Sequence, residues 1–115
     1  KKAELQTSKF KKIQINIALD YGSKNEILES FKLIKNKKLI INEKNIENNL
    51  YTKGIPNPDI LIRTGNTQRL SNFLLWQLAY TEIFFEKKLW PDFKSDDYKK
   101  VLNKFKLIKR NFGSI

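Results

Sequence analysis

The sequence predicts an α/β fold in which a mainly parallel sheet is flanked by helices. Segments typical of strands alternate with segments typical of helices along the chain, and this alternation characterises α/β proteins. One strand-like segment, DILIR (Asp59–Arg63), has a continuous apolar run, as expected when both faces of a strand are buried in a parallel sheet. The 115 residues contain no repeat, linker or low-complexity tract. Residues 1–115 are therefore predicted to form one unit of single-domain size.

The first predicted elements are a strand and a helix joined by a tight turn. IQINIAL (Ile13–Leu19) alternates apolar residues with polar or small ones, which is the period of a strand. After the turn, Ser23 and Glu26 have the spacing of a capping box, in which both side chains bond free amides at a helix start. The helix is predicted to run to about Asn36. Its apolar face would consist of Ile27, Leu28, Phe31 and Ile34.

A shorter helix and a second strand follow. The helix is predicted over Glu43–Leu50 and is entered through Asn42. Gly54–Pro58 contains two prolines and a glycine, so it is predicted to form a loop. Asp59–Arg63 is the strand described above.

In the last part of the chain the sequence predicts a helix, a third strand and a final helix. Leu70–Tyr80 is apolar nearly all round, which indicates a helix that is buried on several sides or packs against a partner. Thr81–Phe85 is predicted to be a strand, and Trp90-Pro91 interrupts the chain. The final helix is predicted to begin with Ser95 as its N-cap and to end at Gly113. Its core face would consist of Tyr98, Val101, Leu102, Phe105, Ile108 and Phe112.

The composition restricts the chemistry that the chain can perform. The net charge is +11, which favours an anionic partner such as nucleic acid, acidic lipid or phosphate. In the alternative interpretation the charge has no partner: the chain is rich in Lys, Asn and Ile, and its lysines simply occupy the solvent-exposed surface. Cysteine and histidine are both absent, which excludes thiolate chemistry and removes the usual general base and transition-metal ligand. Any metal would be a hard cation held by oxygen, Mg²⁺ in the first place.

Two of the three arginines stand close together in IRTGNTQRLSN. Arg63 ends the predicted strand, at the edge of a parallel sheet where ligands bind. Arg69 and Ser71 fall where the loop becomes the next helix, whose free amides favour an anion. Two guanidinium groups, a hydroxyl and a helix N-terminus indicate a diphosphate site. In the alternative interpretation the arginines pair with Asp59 or Glu82, and Ser71 is an ordinary N-cap.

Glu82 also has two interpretations. It lies between apolar residues of the predicted strand, where an unpaired carboxylate would be costly. It is therefore either the partner of an arginine in a buried salt bridge, or a ligand of Mg²⁺ or of the metal's waters beside the diphosphate.

Two stretches of the chain resemble the cis-prenyltransferases, specifically the bacterial undecaprenyl diphosphate synthases. PDILIRTGNTQRLSNFLLWQLAYTEIFFEKKLWPDF (Pro58–Phe93) is closely similar to the C-terminal signature of that family. INIALDYGSKNEI (Ile15–Ile27) resembles its strand-to-helix segment, with Asp20-Tyr21-Gly22-Ser23 where the family has Asn-Tyr-Gly-Gly. The resemblance covers the chain from about Ile13 to Gly113.

The resemblance implies cis-prenyl chain elongation by a transferase of prenyl groups. In this reaction isopentenyl diphosphate is condensed with an allylic diphosphate such as farnesyl diphosphate, with Mg²⁺ as cofactor. The product would be undecaprenyl diphosphate, the precursor of the lipid carrier for cell-wall synthesis. The resemblance places the diphosphate of isopentenyl diphosphate on Arg63, Arg69 and Ser71, with the backbone of Leu70 nearby, and it links Glu82 to Mg²⁺.

The resemblance also implies the surroundings of this site. The Phe73–Phe85 region would form a homodimer interface, and the family's catalytic, Mg²⁺-binding aspartate belongs to an Asp-Gly-Asn-Gly-Arg-Trp segment in the first half of longer chains. That segment is missing from this sequence. The chain is therefore expected to be the C-terminal half of one cis-prenyltransferase domain, to contain no catalytic residue of its own and to be inactive by itself.

Three positions depart from the family pattern. Gly65-Asn66-Thr67 replaces Gly-Gly-Glu and so lacks a carboxylate beside the arginines. Gln68 stands where histidine is frequent. Asn111-Phe112-Gly113 replaces a C-terminal arginine-any-glycine pattern, with Arg110 one place early.

Other functions remain open from the sequence. A non-catalytic subunit of a cis-prenyltransferase would contain the same residues. A basic nucleic-acid-binding domain would explain the charge, although the lysines form no stripe with the aromatic residues. No signal peptide and no apolar run long enough to cross a bilayer are visible, so a cytoplasmic protein, peripheral to the inner membrane at most, is expected.

Overall fold

The computed structural model describes residues 2–111 and contains four α-helices and one two-stranded sheet within that range. The sheet and the longer helices confirm the α/β prediction. In chain order the elements are α1 (Lys2–Thr7), α2 (Ser23–Asn36), α3 (Glu43–Glu47), β1 (Ile60–Arg63), β2 (Glu82–Phe85), a 3-10 helix (Trp90–Asp92) and α4 (Ser95–Lys106).

The sheet consists of β1 and β2, which pair in parallel with Ile60 opposite Glu82 and Arg63 opposite Phe85. Both strands lie where the sequence predicts them. Parallel strands need a crossover connection, and here residues 64–81 provide it. The carboxyl ends of the strands, at Arg63 and Phe85, therefore lie at one edge of the sheet, and the amino ends lie at the other.

The helix predicted over Leu70–Tyr80 is wrong, because this segment is a series of turns. Ser71, Asn72 and Leu74 have positive φ angles of 50°, 63° and 45°. Left-handed residues cannot continue a right-handed helix. A single backbone bond from Leu78 N–H to Leu74 O (3.0 Å) gives the segment one helical turn.

The strand predicted over Ile13–Leu19 is also not formed. The segment is extended, but none of its backbone groups bonds the backbone of another residue within 2–111. Its four large apolar side chains are 77–83% exposed. A strand requires a neighbour to satisfy its backbone groups, and the described part of the chain provides none here.

Helix α2 has the predicted bounds but a different N-terminus. Gly22 is the N-cap residue and makes no side-chain bond, and Ser23 is the first helical residue. The predicted capping box is wrong because both of its side chains bond distant residues instead. Ser23 Oγ accepts from Leu75 N–H at 2.9 Å, and Glu26 is buried among other donors, described below.

Helix α3 packs against α2 and closes the small core. Its N-cap is Asn42, as predicted, with the side chain accepting from Asn45 N–H at 2.8 Å. The helix ends at Glu47, three residues before the predicted end at Leu50. The buried core residues are Ile34, Ile46 and Leu50, with Ile27, Phe31 and Trp76 packed against them.

Helix α4 is shorter than predicted. Lys94, not Ser95, is the N-cap residue, and its N–H donates to Asp97 Oδ2 at 2.9 Å. The helix ends at Lys106, and among the described residues of the predicted core face only Val101 is fully buried. Two of the residues assigned to this helix, Phe112 and Gly113, lie outside the described residues. No helix within residues 2–111 has the length and apolar character needed to cross a membrane.

Candidate functional site

Arg63 occupies the carboxyl end of β1, as the sequence predicts. Its backbone oxygen accepts from Glu86 N–H at 2.8 Å, which extends the pairing beyond β2. The Nε atom of its guanidinium is buried and has no hydrogen-bond partner among residues 2–111. A buried, unsatisfied donor costs free energy, which an acceptor from outside the described residues would recover.

The connection after β1 carries the other predicted anion ligands. Gly65, with φ of +89°, donates its N–H to Lys88 O at 2.7 Å, and Asn66 N–H donates to Glu86 O at 3.1 Å. These bonds fix the loop to the segment that follows β2. Arg69 and Ser71 are exposed, and within the described residues no ion pair or hydrogen bond engages their side chains.

Arg63 therefore ends β1, and Arg69, Leu70 and Ser71 belong to the connection that leaves the carboxyl edge of the sheet. The predicted contribution of a helix N-terminus is wrong, because no helix starts at Leu70. Ser71 is accordingly not an N-cap. Within residues 2–111 the guanidinium groups of Arg63 and Arg69 form no ion pair, and no hydrogen bond engages the hydroxyl of Ser71.

Asn72 is a residue whose role the sequence did not reveal. Its backbone oxygen accepts from Ser23 N–H at 2.8 Å, and its Oδ1 accepts from Lys24 N–H at 2.9 Å. The first turn of α2 thus receives two of its acceptors from the residue that follows Ser71. Only the helix start is visible in the sequence; a partner nearly 50 positions away is not.

Glu26 is the second residue that the sequence did not identify correctly. It is fully buried, and its carboxylate accepts from the hydroxyl of Tyr21, from Tyr51 N–H at 2.8 Å and from Gln77 Nε2 at 3.2 Å. Burial, followed by the hydrogen bond to Glu26, raises the pKa of Tyr21 to about 12. The network ends at Gln77 Nε2, which also donates to Thr52 Oγ1 at 2.9 Å.

Glu82 lies at the opposite end of the sheet from Arg63. The register puts it beside Ile60, so about 10 Å of strand separates it from the arginine's position, at about 3.3 Å per residue. The ion pair predicted as an alternative, from Arg63 or Arg69 to Asp59 or Glu82, is wrong. Arg110 takes that place: its NH1 contacts Asp59 Oδ1 at 2.5 Å, and its Nε lies 4.0 Å from Glu82 Oε1.

The described residues do not by themselves compose a metal centre. Within residues 2–111 no group of three or more His, Cys, Asp or Glu side chains could hold an ion. Glu82 and Asp59 are two carboxylates, and they share the guanidinium of Arg110. A magnesium ion here would need further oxygen ligands from outside these residues.

A cavity of about 410 Å³ lies next to the Glu26 network. It is bordered by residues 16–21, by the loop around Pro56 and by the turn that contains Phe73 and Gln77, and most of its lining is apolar. None of the predicted anion or metal ligands lines it. The candidate anion site is therefore the exposed loop at the sheet edge and not this cavity.

Comparisons with known proteins show the family of this chain. A family model for undecaprenyl diphosphate synthase matches residues 1–113. An isoprenyl transferase from Rickettsia typhi is 46% identical over 103 residues, which cover 89% of this chain and 46% of that protein. This chain thus spans about half the length of the curated relatives it matches.

Solved structures give the same result for the fold. The crystal structure of a probable undecaprenyl diphosphate synthase from Campylobacter jejuni is 38% identical, with a TM-score of 0.85, over 96% of this chain and 52% of the other. Lavandulyl diphosphate synthase from Lavandula x intermedia, in complex with dimethylallyl diphosphate, is 39% identical, with a TM-score of 0.79, over 84% of this chain and 45% of the other.

Proposed function

Since this chain belongs to the undecaprenyl diphosphate synthase family of prenyl transferases, we propose that it contributes the isopentenyl diphosphate site for cis-prenyl chain elongation. In that reaction the terminal alkene carbon of isopentenyl diphosphate bonds the allylic carbon of a substrate such as farnesyl diphosphate, whose diphosphate group leaves. Loss of a proton from C2 of the isopentenyl unit then forms the cis double bond. Repetition yields undecaprenyl diphosphate, a lipid carrier precursor for cell-wall synthesis.

One observation carries the assignment of the site to this loop. The buried Nε of Arg63 has no partner among residues 2–111, and it lies at the sheet edge where α/β proteins bind ligands. A diphosphate supplies several oxygens on a dianionic or trianionic group, which suits a planar guanidinium better than a lysine ammonium. The unpaired donor therefore favours this substrate class.

The neighbouring residues would complete the diphosphate contacts. Arg69 and the hydroxyl of Ser71 are free to bind oxygens, and the Leu70 backbone lies between them. These groups would hold and orient the diphosphate of isopentenyl diphosphate while the reacting carbons meet elsewhere. Holding one substrate in a fixed pose is itself a large part of catalysis. No proton transfer is assigned to this chain.

Magnesium is proposed as the cofactor, with Glu82 contributing one carboxylate. Bound Mg²⁺ would neutralise charge that develops on a leaving diphosphate. The other ligands would come from outside the described residues, and Arg110 would have to release Glu82. The support for this assignment is the pair of carboxylates, Asp59 and Glu82, that share Arg110 at the amino edge of the sheet.

A homodimer through the Phe73–Phe85 region is also proposed. Leu75, Tyr80, Ile83 and Phe85 of this region are 37–62% exposed, and one edge of β2 has no neighbour among residues 2–111. Apolar side chains beside an open edge are typical of a surface that another chain covers. Sedimentation equilibrium should report a dimer, which Ile83→Lys should dissociate.

Calorimetric titration with isopentenyl diphosphate tests the diphosphate site. Arg63→Lys and Arg69→Lys retain the charge but lose the planar fork, so each should weaken binding by roughly ten- to a hundredfold, the worth of about 1.5–3 kcal/mol. Thermal unfolding of both variants should stay close to that of the unmodified chain, because no protein counter-ion is lost.

Arg110→Lys is the matched control, since it makes the same substitution at the only other arginine. Its affinity for isopentenyl diphosphate should be unchanged, and its unfolding temperature should fall because Asp59 and Tyr80 lose their contacts with Arg110. If Arg63→Lys and Arg69→Lys bind normally yet unfold early, the arginines stabilise the fold and the proposed site is wrong.

A further inference from the structure

We propose that Asn72 is a positioning residue, which fixes the Arg69–Ser71 segment on the N-terminus of α2 so that the guanidinium and hydroxyl meet the diphosphate. This inference rests on the proposed diphosphate site. It assigns to Asn72 no contact with substrate, only control over where the preceding residues lie.

The contacts come from both the backbone and the side chain of Asn72. The backbone oxygen accepts from Ser23 N–H and Oδ1 accepts from Lys24 N–H, at 2.8 and 2.9 Å. A third bond, from Leu75 N–H to Ser23 Oγ at 2.9 Å, holds the segment on the other side of Asn72. The first amides of a helix have no hydrogen-bond partner within the helix. Their bonds to Asn72 therefore satisfy two free N–H groups of α2 and also hold the loop against the helix.

Gly22 leaves room for this arrangement. A Cβ atom added at Gly22 would lie 2.8 Å from Asn72 Nδ2, which is closer than such contacts permit. The φ of Gly22 is −144°, a value that alanine adopts without strain. An added methyl group would therefore displace the neighbouring amide without straining its own backbone, so the two residues are coupled.

The backbone conformation explains why asparagine is suitable here. Ser71 and Asn72 have φ of 50° and 63°, and asparagine tolerates the left-handed region better than most residues. Two successive left-handed residues reverse the direction of the chain. Without the side-chain bond to Lys24, the turn would keep only two of the three bonds that hold it on α2, and Arg69 and Ser71 would sample more poses.

The test measures the Kd of isopentenyl diphosphate for three variants, at a temperature where circular dichroism shows each to be folded. Asn72→Gly accepts the positive φ and removes only the side chain, and should raise the Kd about tenfold. Gly22→Ala should raise the Kd as well, because its methyl group displaces the amide of Asn72. In the double variant the methyl group meets no amide, so its Kd should equal that of Asn72→Gly.

Asn66→Gly is the matched control. Asn66 is exposed, lies in the same connection and has a positive φ of 55°, and its side chain makes no hydrogen bond with the described residues. Its Kd should stay within about twofold of the unmodified chain, since only a side chain without partners is lost.

The outcomes separate this inference from the proposed function. If the unmodified chain does not bind isopentenyl diphosphate, the diphosphate site itself is refuted. If the unmodified chain binds but Asn72→Gly and Gly22→Ala bind equally well, Asn72 does not position the site. Independent, additive effects of the two substitutions would also overturn the inference, because they would show that Gly22 does not act through Asn72.

Discussion

The buried carboxylate of Glu26 gives the sharpest stability prediction, through the substitution Glu26→Gln. This change keeps the shape of the side chain and converts an acceptor-only group into an amide. In the unmodified chain the two carboxylate oxygens accept from Tyr21, Tyr51 and Gln77. The variant tests how much of the folding free energy depends on that set of bonds.

The expected loss of folding free energy depends on which acceptor remains for each of the three donors. The remaining amide oxygen can still accept from Tyr51 N–H, and the hydroxyl of Tyr21 can turn to accept from the new NH₂ group. Gln77 keeps its bond to Thr52 Oγ1 at 2.9 Å. The Tyr21 hydroxyl then loses the oxygen that accepted its proton, so the loss is chiefly that of one bond to the carboxylate. We expect about 1.5–3 kcal/mol in total.

The assay is urea unfolding followed by circular dichroism, with linear extrapolation of the free energy of unfolding. Glu29→Gln is the matched control, since Glu29 lies on the same helix but only forms an exposed pair with Lys32 at 2.7 Å. Such pairs contribute about 0–1 kcal/mol. The reasoning is refuted if Glu26→Gln loses no more stability than Glu29→Gln.

Two further predictions concern titration and metal binding. Tyr21 has a pKa of about 12 in the folded chain, above its ordinary value of 10.0. Its contribution to the free energy of unfolding should therefore be fully present below pH 10 and fall as the pH rises toward 12. Denaturant unfolding of Tyr21→Phe should lack this fall, and an identical fall in that variant would contradict the assignment. Arg110→Met removes the cation shared by Asp59 and Glu82, so Mg²⁺ affinity measured by calorimetry should rise about tenfold. Adding Glu82→Gln should cancel that gain, whereas a gain that persists would place the metal elsewhere.

The sequence predicted correctly those helices and strands that are determined by residues within the element or next to it. The apolar run before Arg63 gave β1, and the spacing of apolar residues gave α2 with its observed bounds. Asn42 caps α3 as expected because an N-cap bond spans only three residues. In each case the side chains that determine the element lie within the element or next to it.

The failures have long-range causes. Ser23 and Glu26 have the spacing of a capping box, but Leu75 and Gln77 compete for their oxygens, and sequence spacing does not show which partner prevails. The apolar segment after Leu70 has a helical composition, yet Asn72 bonds α2 and requires a left-handed backbone. These contacts join residues about 50 positions apart.

The candidate site was predicted in part for the same reason. Arg63 ends one strand, and Arg69 and Ser71 belong to the connection after it, which the order of the motif alone implies. The position of Glu82 at the other edge depends on the register of a parallel pair, and its partner Arg110 lies outside the motif. Only the structure could relate these three parts of the chain.

The segment Ile13–Leu19, which pairs with no strand among residues 2–111, affects how copies of the chain associate in solution. It is seven residues without charge or proline, which is the composition of segments that stack between copies of a chain. The lysines that flank it, Lys11 and Lys12, and the net charge of +11 keep copies apart by repulsion. That repulsion reaches about 10 Å at 0.1 M salt and about 3 Å at 1 M. Copies should therefore form nothing larger than the proposed dimer in dilute buffer and should associate further as salt is added. An assembly held together by salt bridges would respond to salt in the opposite way.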